Sequence, residues 1–381
     1  MHNMRITIVA DVLGQENNGT TITCKRLIEN LKMRGHEVKV VSPLKTDLEG
    51  YYTLKTRSFG PFNNYVAKNG VELAKPDDKI ILEAIKGADV CHILLPFKTG
   101  IRAMKLCKKE GIPVTGAFHC QPENFSVHLK LEKSKLFNKF LYHRFYKKFY
   151  KYVKYVHCPS EFIARKLREN HYDNCLEVIS NGVAPGYVKK AVSKPENLKD
   201  KICIVTVGRL SHEKRHDLLI KAVSYSKYKD KIQVLICGRG PIENETKKLG
   251  KMLPNKPIIG FYKQDELVDI LNYSDIYCHP ADVEIEAIAC LEAITCGLVP
   301  IISDSSNSAT NSFALEDIDL FKAGDVLDLS KKIDYLIEHP EEKECLSQKY
   351  LEYSKKFAIS HCIDLIEEMF KKAICDYGKE K

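Results

Sequence analysis

Short apolar runs, rich in β-branched residues, alternate along the chain with longer stretches whose apolar positions recur every three or four residues. The runs at 5–9, 37–41, 89–94, 113–118, 155–158 and 176–179 read as strands, as do those at 202–207, 233–237, 257–259, 275–279 and 298–303. Helical spacing lies between them, for example at 21–34, 160–169, 213–224, 265–273 and 287–296. Strands that are apolar at nearly every position are buried on both faces, the condition of a parallel sheet covered by helices. The pattern predicts an α/β chain of two doubly wound, Rossmann-like domains facing a central cleft, residues 1–184 and 185–357. The stretch 185–200, rich in Lys, Pro and Asn, is expected to link them. In the terminal segment 358–381, Ile363, Leu365, Ile366, Phe370 and Ile374 keep helical spacing, so a last helix should return to dock on the first domain.

Composition narrows the class. In 381 residues, 44% are hydrophobic and 29% charged, which suits a well-cored globular chain. A net charge of +9 favours anionic partners such as nucleotides, phosphates or acidic membrane. No apolar run approaches the ~18 residues that span a bilayer. Asp11 ends the first run too early for a signal-peptide core, so a cytoplasmic protein is expected. The 14 cysteines are scattered without any C-x-x-C, and several sit inside strand-like runs. They read as reduced thiols acting as small hydrophobes, with neither metal nor cofactor implied.

Candidate chemistry concentrates in the second half. A strand ending at His279-Pro280 is followed by Glu284-Ile285-Glu286-Ala287-Ile288, and Glu292 comes four residues later. With Glu284 at a helix start and Glu292 two turns in, the carboxylates stand roughly 12 Å apart along the axis. That span suits a nucleotide-sugar, one carboxylate on the sugar hydroxyls and the other on the ribose diol, with the diphosphate near the helix N-terminus. Gly208-Arg209…Lys214 follows another strand. There the glycine permits close backbone approach, and Arg209 and Lys214 offer a planar fork and a point charge to a leaving diphosphate. Asp317-Ile318-Asp319 has the form of a metal-binding D-x-D but falls far from this cluster, and reads as solvated loop acids.

Taken in order, Gly208-Arg209…Lys214, Gly238-x-Gly240-Pro241, Ile259-Gly260-Phe261, Asp275, Glu284-x7-Glu292-Ala293 and Cys296-Gly297-x-Pro300 resemble the retaining GT-B glycosyltransferases of family 4. Asn18-Gly19-Thr20, Arg34-Gly35-His36, Phe118-His119-Cys120-Gln121-Pro122 and Ser180-Asn181-Gly182 extend the resemblance over the first half. It implies that Glu292 binds the ribose, that Arg209 and Lys214 bind the diphosphate, and that Glu284 with the backbone of Ile285, Glu286, Ala287 and Ile288 holds the donor sugar. It further implies that Gly19 and Gly208 allow close approach to the donor, that Phe261, Tyr262 and Lys263 read a uracil base, and that His119 stands on the acceptor side. Catalysis would rest on His119, Glu284, Arg209 and Lys214, by front-face displacement and without metal. Where the family has Gly-Phe-Gly after the first glutamate, this chain has Ile285-Glu286-Ala287, which restricts the backbone and adds a carboxylate near the sugar.

The segment 130–154 bears on the acceptor. It holds nine basic residues, Lys130, Lys133, Lys135, Lys139, Arg144, Lys147, Lys148, Lys151 and Lys154, and eight aromatics. Phe137, Leu141, Phe145, Phe149 and Tyr152 step at helical spacing. One reading is a helix packed on its sheet with solvated lysines. The other is docking of Arg144, Lys147, Lys148, Lys151 and Lys154 on an anionic membrane. Nucleic acid would use similar residues, but no recognition motif accompanies them. The membrane reading most resembles bacterial diacylglycerol glucosyltransferases, with UDP-glucose as donor, at the inner face of the plasma membrane. A transferase acting on a soluble or polyprenyl-linked glycan is the alternative. A non-catalytic sugar-nucleotide-binding scaffold would be expected to have lost one of His119, Arg209, Lys214, Glu284 or Glu292.

Overall fold

The computed structural model describes residues 3–13, 19–57, 73–123 and 134–379. Asn18, Lys130 and Lys133, named above, lie outside the described residues. Two compact units emerge, Met1–Asn181 with Ser360–Lys381, and Gly182–Ile359.

The first unit is built on seven strands: β1 (Arg5–Val9), β2 (Glu37–Ser42), β3 (Tyr51–Thr53), β4 (Val90–Ile93), β5 (Val114–Ala117), β6 (Tyr155–Cys158) and β7 (Cys175–Val178). They run parallel in the order β3-β2-β1-β4-β5-β6-β7. Ile6 of β1 pairs with Val38 on one side and Val90 on the other. Between the strands come α1 (Gly19–Met33), α2 (Asp78–Ile85), α3 (Lys98–Glu110), α4 (Lys135–Lys148) and α5 (Glu161–Glu169). Side-chain caps start several of them. Asp77 accepts from the backbone N–H of Lys79 at 3.0 Å, and Ser160 from that of Ile163 at 3.4 Å.

The second unit carries β8 (Ile202–Val207), β9 (Ile232–Cys237), β10 (Ile258–Gly260), β11 (Ile276–His279), β12 (Pro300–Ser303) and β13 (Leu320–Phe321), parallel in the order β10-β9-β8-β11-β12-β13. Its helices are α6 (His216–Tyr225), α7 (Glu243–Leu249), α8 (Gln264–Tyr273), α9 (Ile288–Thr295), α10 (Val326–Glu338) and α11 (Pro340–Ser354). The expected pair of Rossmann-like sheets is therefore present. In each, strand order reverses beside the first strand, between β1 and β4 and between β8 and β11, and such switch points are where this architecture binds ligands.

Residues 185–200 are fastened along the second unit. Lys190 donates its backbone N–H to Asn272 at 2.6 Å, and the Lys194 ammonium meets Asp275 at 2.5 Å. Asp275 also accepts from the Cys203 backbone at 2.7 Å, so it tethers this stretch to the start of β8.

The final helix, α12 (Ile359–Lys379), packs on the first unit as expected. Ile363, Ile366 and Phe370 are buried, while Leu365 and Ile374 are only partly so. The Phe370 ring lies 5.2 Å from His92 of β4. The junction Arg34-Gly35-His36 anchors the helix. Arg34 pairs with Asp364 and Glu367 and donates to Ser360 O at 2.6 Å. The His36 ring bridges the Met4 N–H and Glu367, 3.1 Å from each.

Asp319 differs from expectation. It is fully buried, and its Oδ2 accepts from Tyr350 Oη at 2.5 Å and from the N–H groups of Leu315 and Glu316. It is a structural cap within the fold, not a solvated loop acid.

Candidate active site

Two loops at the switch point of the second unit bring the main candidates together. After β8 the chain passes Gly208 and Arg209 to a 3₁₀ turn at His212–Lys214, then enters α6 through Arg215. After β11 it passes Glu284, whose backbone bridges Ser308, before α9 begins. The loops are stitched together. Arg215 pairs with Asp282 at 2.8 Å, and the Asp282 N–H donates to Glu213 O at 2.8 Å. The Ser305 hydroxyl donates to Asp282 O at 2.6 Å.

This geometry corrects the helical reading of Glu284. The helix starts four residues later, at Ile288, so Glu284 and Glu292 do not share a helical axis. Ala287 stands immediately before it at φ +62, a left-handed conformation that a side chain rarely adopts. Glu286 and Glu292 are buried, Ile285 and Ile288 partly so.

Lys214 pairs directly with Oε1 of Glu284. The same oxygen receives Nε2 of His279 at 3.0 Å, and no described residue hydrogen-bonds to Oε2. One oxygen is thus pinned by two donors while the other has no partner among the described residues. Burial pushes the Glu284 carboxyl up, but Lys214 and His279 outweigh it and bring it down to about 2. His279 in turn meets the hydroxyl of buried Tyr277 through Nδ1, at 3.0 Å. Arg209 lies 3.3 Å from Glu213, which also accepts the Ser211 hydroxyl at 2.5 Å.

Beside these loops, Gly238 and Gly240 allow the β8 and β9 connections to touch. A Cβ on Gly238 would fall 1.9 Å from Gly208 O, and one on Gly240 2.3 Å from Leu210 O. Arg239, between them, lays its guanidinium 4.0 Å over the ring centre of Phe261, which is 54% exposed. Tyr262 packs against the core of this unit, and Lys263 caps α8 with its backbone N–H on Glu266 at 2.8 Å.

In the first unit, His119 follows β5. It is buried, and its Nε2 makes no hydrogen bond among the described residues. Burial, then the neighbouring His157 and His92 rings, holds it well below the usual histidine range, so the ring is neutral. Gln121, two residues on, is fully buried with neither amide atom partnered among the described residues. Gly19 opens α1, and a Cβ there would meet nothing within 4 Å.

The basic segment behaves differently from its helical spacing. The helix α4 ends at Lys148, so Phe149 belongs to the following turn, and Tyr152 is 52% exposed. Phe137, Leu141 and Phe145 are half-buried, whereas Asn138 and Tyr142 form the buried face. Leu136 and Phe140 project outward at 84% and 58% exposure, among exposed Lys135, Lys139, Arg144, Lys147 and Lys148. Lys151 is exposed on the turn. Lys154 is exposed as well, but its ammonium is paired with Asp376 of α12 at 2.8 Å.

Sequence reasoning missed His279, Tyr277, Arg239, Glu213 and Gln121. The only signals were alternation, which puts Tyr277 and His279 on one face of β11, and a glutamine two residues past a candidate histidine.

Comparison with known proteins agrees with this architecture. Residues 17–186 match the model of Glycosyltransferase Family 4, and 188–353 that of Glycosyl transferases group 1. The alpha-monoglucosyldiacylglycerol synthase of Streptococcus pneumoniae is 22% identical over 335 residues, 81% of this chain and 73% of its own. A GDP-mannose-dependent alpha-mannosyltransferase of Corynebacterium glutamicum is 25% identical over 342 residues, 83% and 78% of the two chains. Among solved structures, Anabaena HepE in complex with UDP and glucose superposes with a TM-score of 0.74 at 13% identity, over 97% of this chain and all of that one. A pair of Rossmann-like units with these topologies is a GT-B glycosyltransferase fold. The chain belongs to the group 1, family 4 glycosyltransferases.

Proposed function

We propose that the protein transfers a hexose, with retention, from a UDP-sugar to a lipid acceptor such as diacylglycerol at an anionic membrane surface, with UDP-glucose as the donor. The observation that carries the donor half is the Glu284 carboxylate. Its Oε1 is pinned by Lys214 and His279, and its Oε2 is left to accept from a sugar hydroxyl. In this reading Lys214 and Arg209 neutralise the diphosphate, Glu292 takes the ribose diol, and the backbone of Ile285 to Ile288 lines the sugar. Gly208 and Gly19 leave room for the donor, and Phe261 with Tyr262 and Lys263 receives the base. His119, neutral and with no partner for Nε2 among the described residues, hydrogen-bonds a sugar hydroxyl. Positive charge from Lys214 and Arg209 stabilises the leaving diphosphate without metal.

The lipid half rests on α4. Leu136 and Phe140 stand exposed on a helix that also exposes Lys135, Lys139, Arg144, Lys147 and Lys148, so apolar side chains can enter the headgroup region while the charges meet anionic lipid. The relatives differ in donor and acceptor by name, and this exposed pair suits an acceptor that resides in a membrane, as in the glucosyldiacylglycerol type. No helix among the described residues is long and apolar enough to cross a membrane; in this reading α4, a helix of 14 residues, docks on the surface.

The test is transfer of labelled sugar from UDP-glucose into anionic vesicles containing diacylglycerol, with Glu292→Ala in parallel. Label in lipid, lost in the variant, supports the whole reading. UDP release without lipid label keeps the donor and moves the acceptor to a soluble or polyprenyl-linked glycan. Neither lipid label nor UDP release overturns the donor assignment.

A further inference from the structure

Glu284 draws two donors to one oxygen, Lys214 from the neighbouring loop and His279 from the end of its own strand. If Lys214 serves a diphosphate, its charge is shared between that group and Glu284, and a buried carboxylate whose cation is drawn elsewhere needs a second partner. We infer that His279 is a positioning residue for Glu284, holding its carboxylate through Nε2–H while Lys214 turns to the donor, with Tyr277 fixing the ring in the tautomer this requires. The inference rests on the donor-site reading above.

Donor and acceptor rules fix the proton that faces Glu284. A carboxylate only accepts, so His279 Nε2 carries the hydrogen at the 3.0 Å contact with Glu284. With the ring neutral, Nδ1 is an acceptor, and the Tyr277 hydroxyl, 3.0 Å away, is placed to donate to it. Tyr277 is suited to this because it is fully buried. Burial, followed by Cys290, Glu284 and Glu292, raises its phenol well above the usual range, so it keeps its proton. Both side chains sit two residues apart on β11, which is paired with β8 and β12 on its two sides. The relay is thus mounted on the centre of the sheet, while Lys214 comes from a 3₁₀ turn. A pair serving only to satisfy buried polar groups would have no reason to end on a carboxylate with its other oxygen open.

The experiment compares UDP and UDP-glucose binding, and steady-state kinetics of UDP release, in the full chain and in His279→Ala, His279→Gln and Tyr277→Phe. In His279→Ala, kcat/KM for UDP-glucose should fall about tenfold or more while UDP affinity stays within about twofold, because UDP carries no sugar for Glu284 to hold. His279→Gln, whose amide can replace the Nε2–H donor, should restore most of the loss. Tyr277→Phe should reproduce part of it. Equal weakening of UDP and UDP-glucose, an unaffected His279→Ala, or no rescue by glutamine would overturn the inference. If His279→Ala does not fold, the glutamine and Tyr277→Phe variants decide the question on the same readout. Glu284→Ala separates the two levels. If it abolishes the sugar-dependent reaction and the His279 variants do not, only the relay fails. If wild type binds no UDP-glucose, the donor reading fails and the relay with it.

Discussion

The ammonium of Lys214 rests against Oε1 of Glu284, 70 residues further along the chain, so the β8 and β11 loops are joined through their charged side chains as well as their backbones. If Lys214 takes the donor's diphosphate, as proposed, the Glu284 carboxylate and the diphosphate draw on one cation. Glu284→Gln should therefore strengthen binding of UDP alone, by roughly two- to fivefold, while transfer falls at least about a hundredfold. Lys214→Met should weaken UDP by about tenfold or more. Titration calorimetry with UDP, beside a transfer assay, checks the opposite signs. A fall in UDP affinity in both variants would contradict the competition.

Membrane docking through α4 makes a separate prediction. Leu136→Ser with Phe140→Ser should reduce retention on anionic vesicles by about tenfold, because two exposed apolar side chains lose their insertion energy. Charge reversal at Lys147 should reduce retention by about fivefold at low salt and less at high salt. Vesicle sedimentation at two ionic strengths measures both. All three positions are exposed, so the thermal midpoint should stay unchanged.

Acid should destabilise the fold before its carboxylates titrate in bulk. Burial lowers His92 to about 3 and His157 and His216 to about 4, so between pH 6.5 and 4 the unfolded chain binds protons that the folded one refuses. Stability is thus present above pH 6.5 and falls as pH drops, on the order of a few kcal/mol for each of these histidines. Asp11 works in the opposite direction. Burial raises it to about 6, so from pH 6 down to 3.8 the folded state takes up the extra proton and recovers part of the loss. Urea midpoints across pH 4–7.5 should decline towards acid, and His92→Gln should flatten the slope.

Ala287 holds a left-handed backbone at φ +62 on entry to α9. Ala287→Gly should remove that strain and stabilise the second unit by roughly 1 kcal/mol. Differential scanning calorimetry provides the measurement. A lowered midpoint would show that the methyl group, buried in the core of this unit, contributes more packing than the backbone loses in strain.

Much of the fold was legible because buried parallel strands leave continuous apolar runs. The runs at 155–158 and 202–207 coincide with β6 and β8 to the residue. The strands β3 and β13 escaped notice because they are two or three residues long and lie at sheet edges, where one side needs no covering strand. Candidate site residues could be named because glycines, cations and carboxylates follow strand ends, and strand ends are where this topology binds ligands.

Periodicity records that a side chain belongs to an apolar or polar face, but not what covers that face. Only the packed molecule decided that Phe149 leaves α4 to become buried while Leu136 and Phe140 turn outward, and that Lys154 is held by Asp376. Only the meeting of two loops at the switch point decided that Lys214 and His279 share one oxygen of Glu284. The chain by itself determined where the strands lie and which residue types follow them, because these depend on local burial and turn chemistry. Which of those residues touch was decided by tertiary structure, because contact between residues 70 apart depends on strand order, which no local pattern encodes.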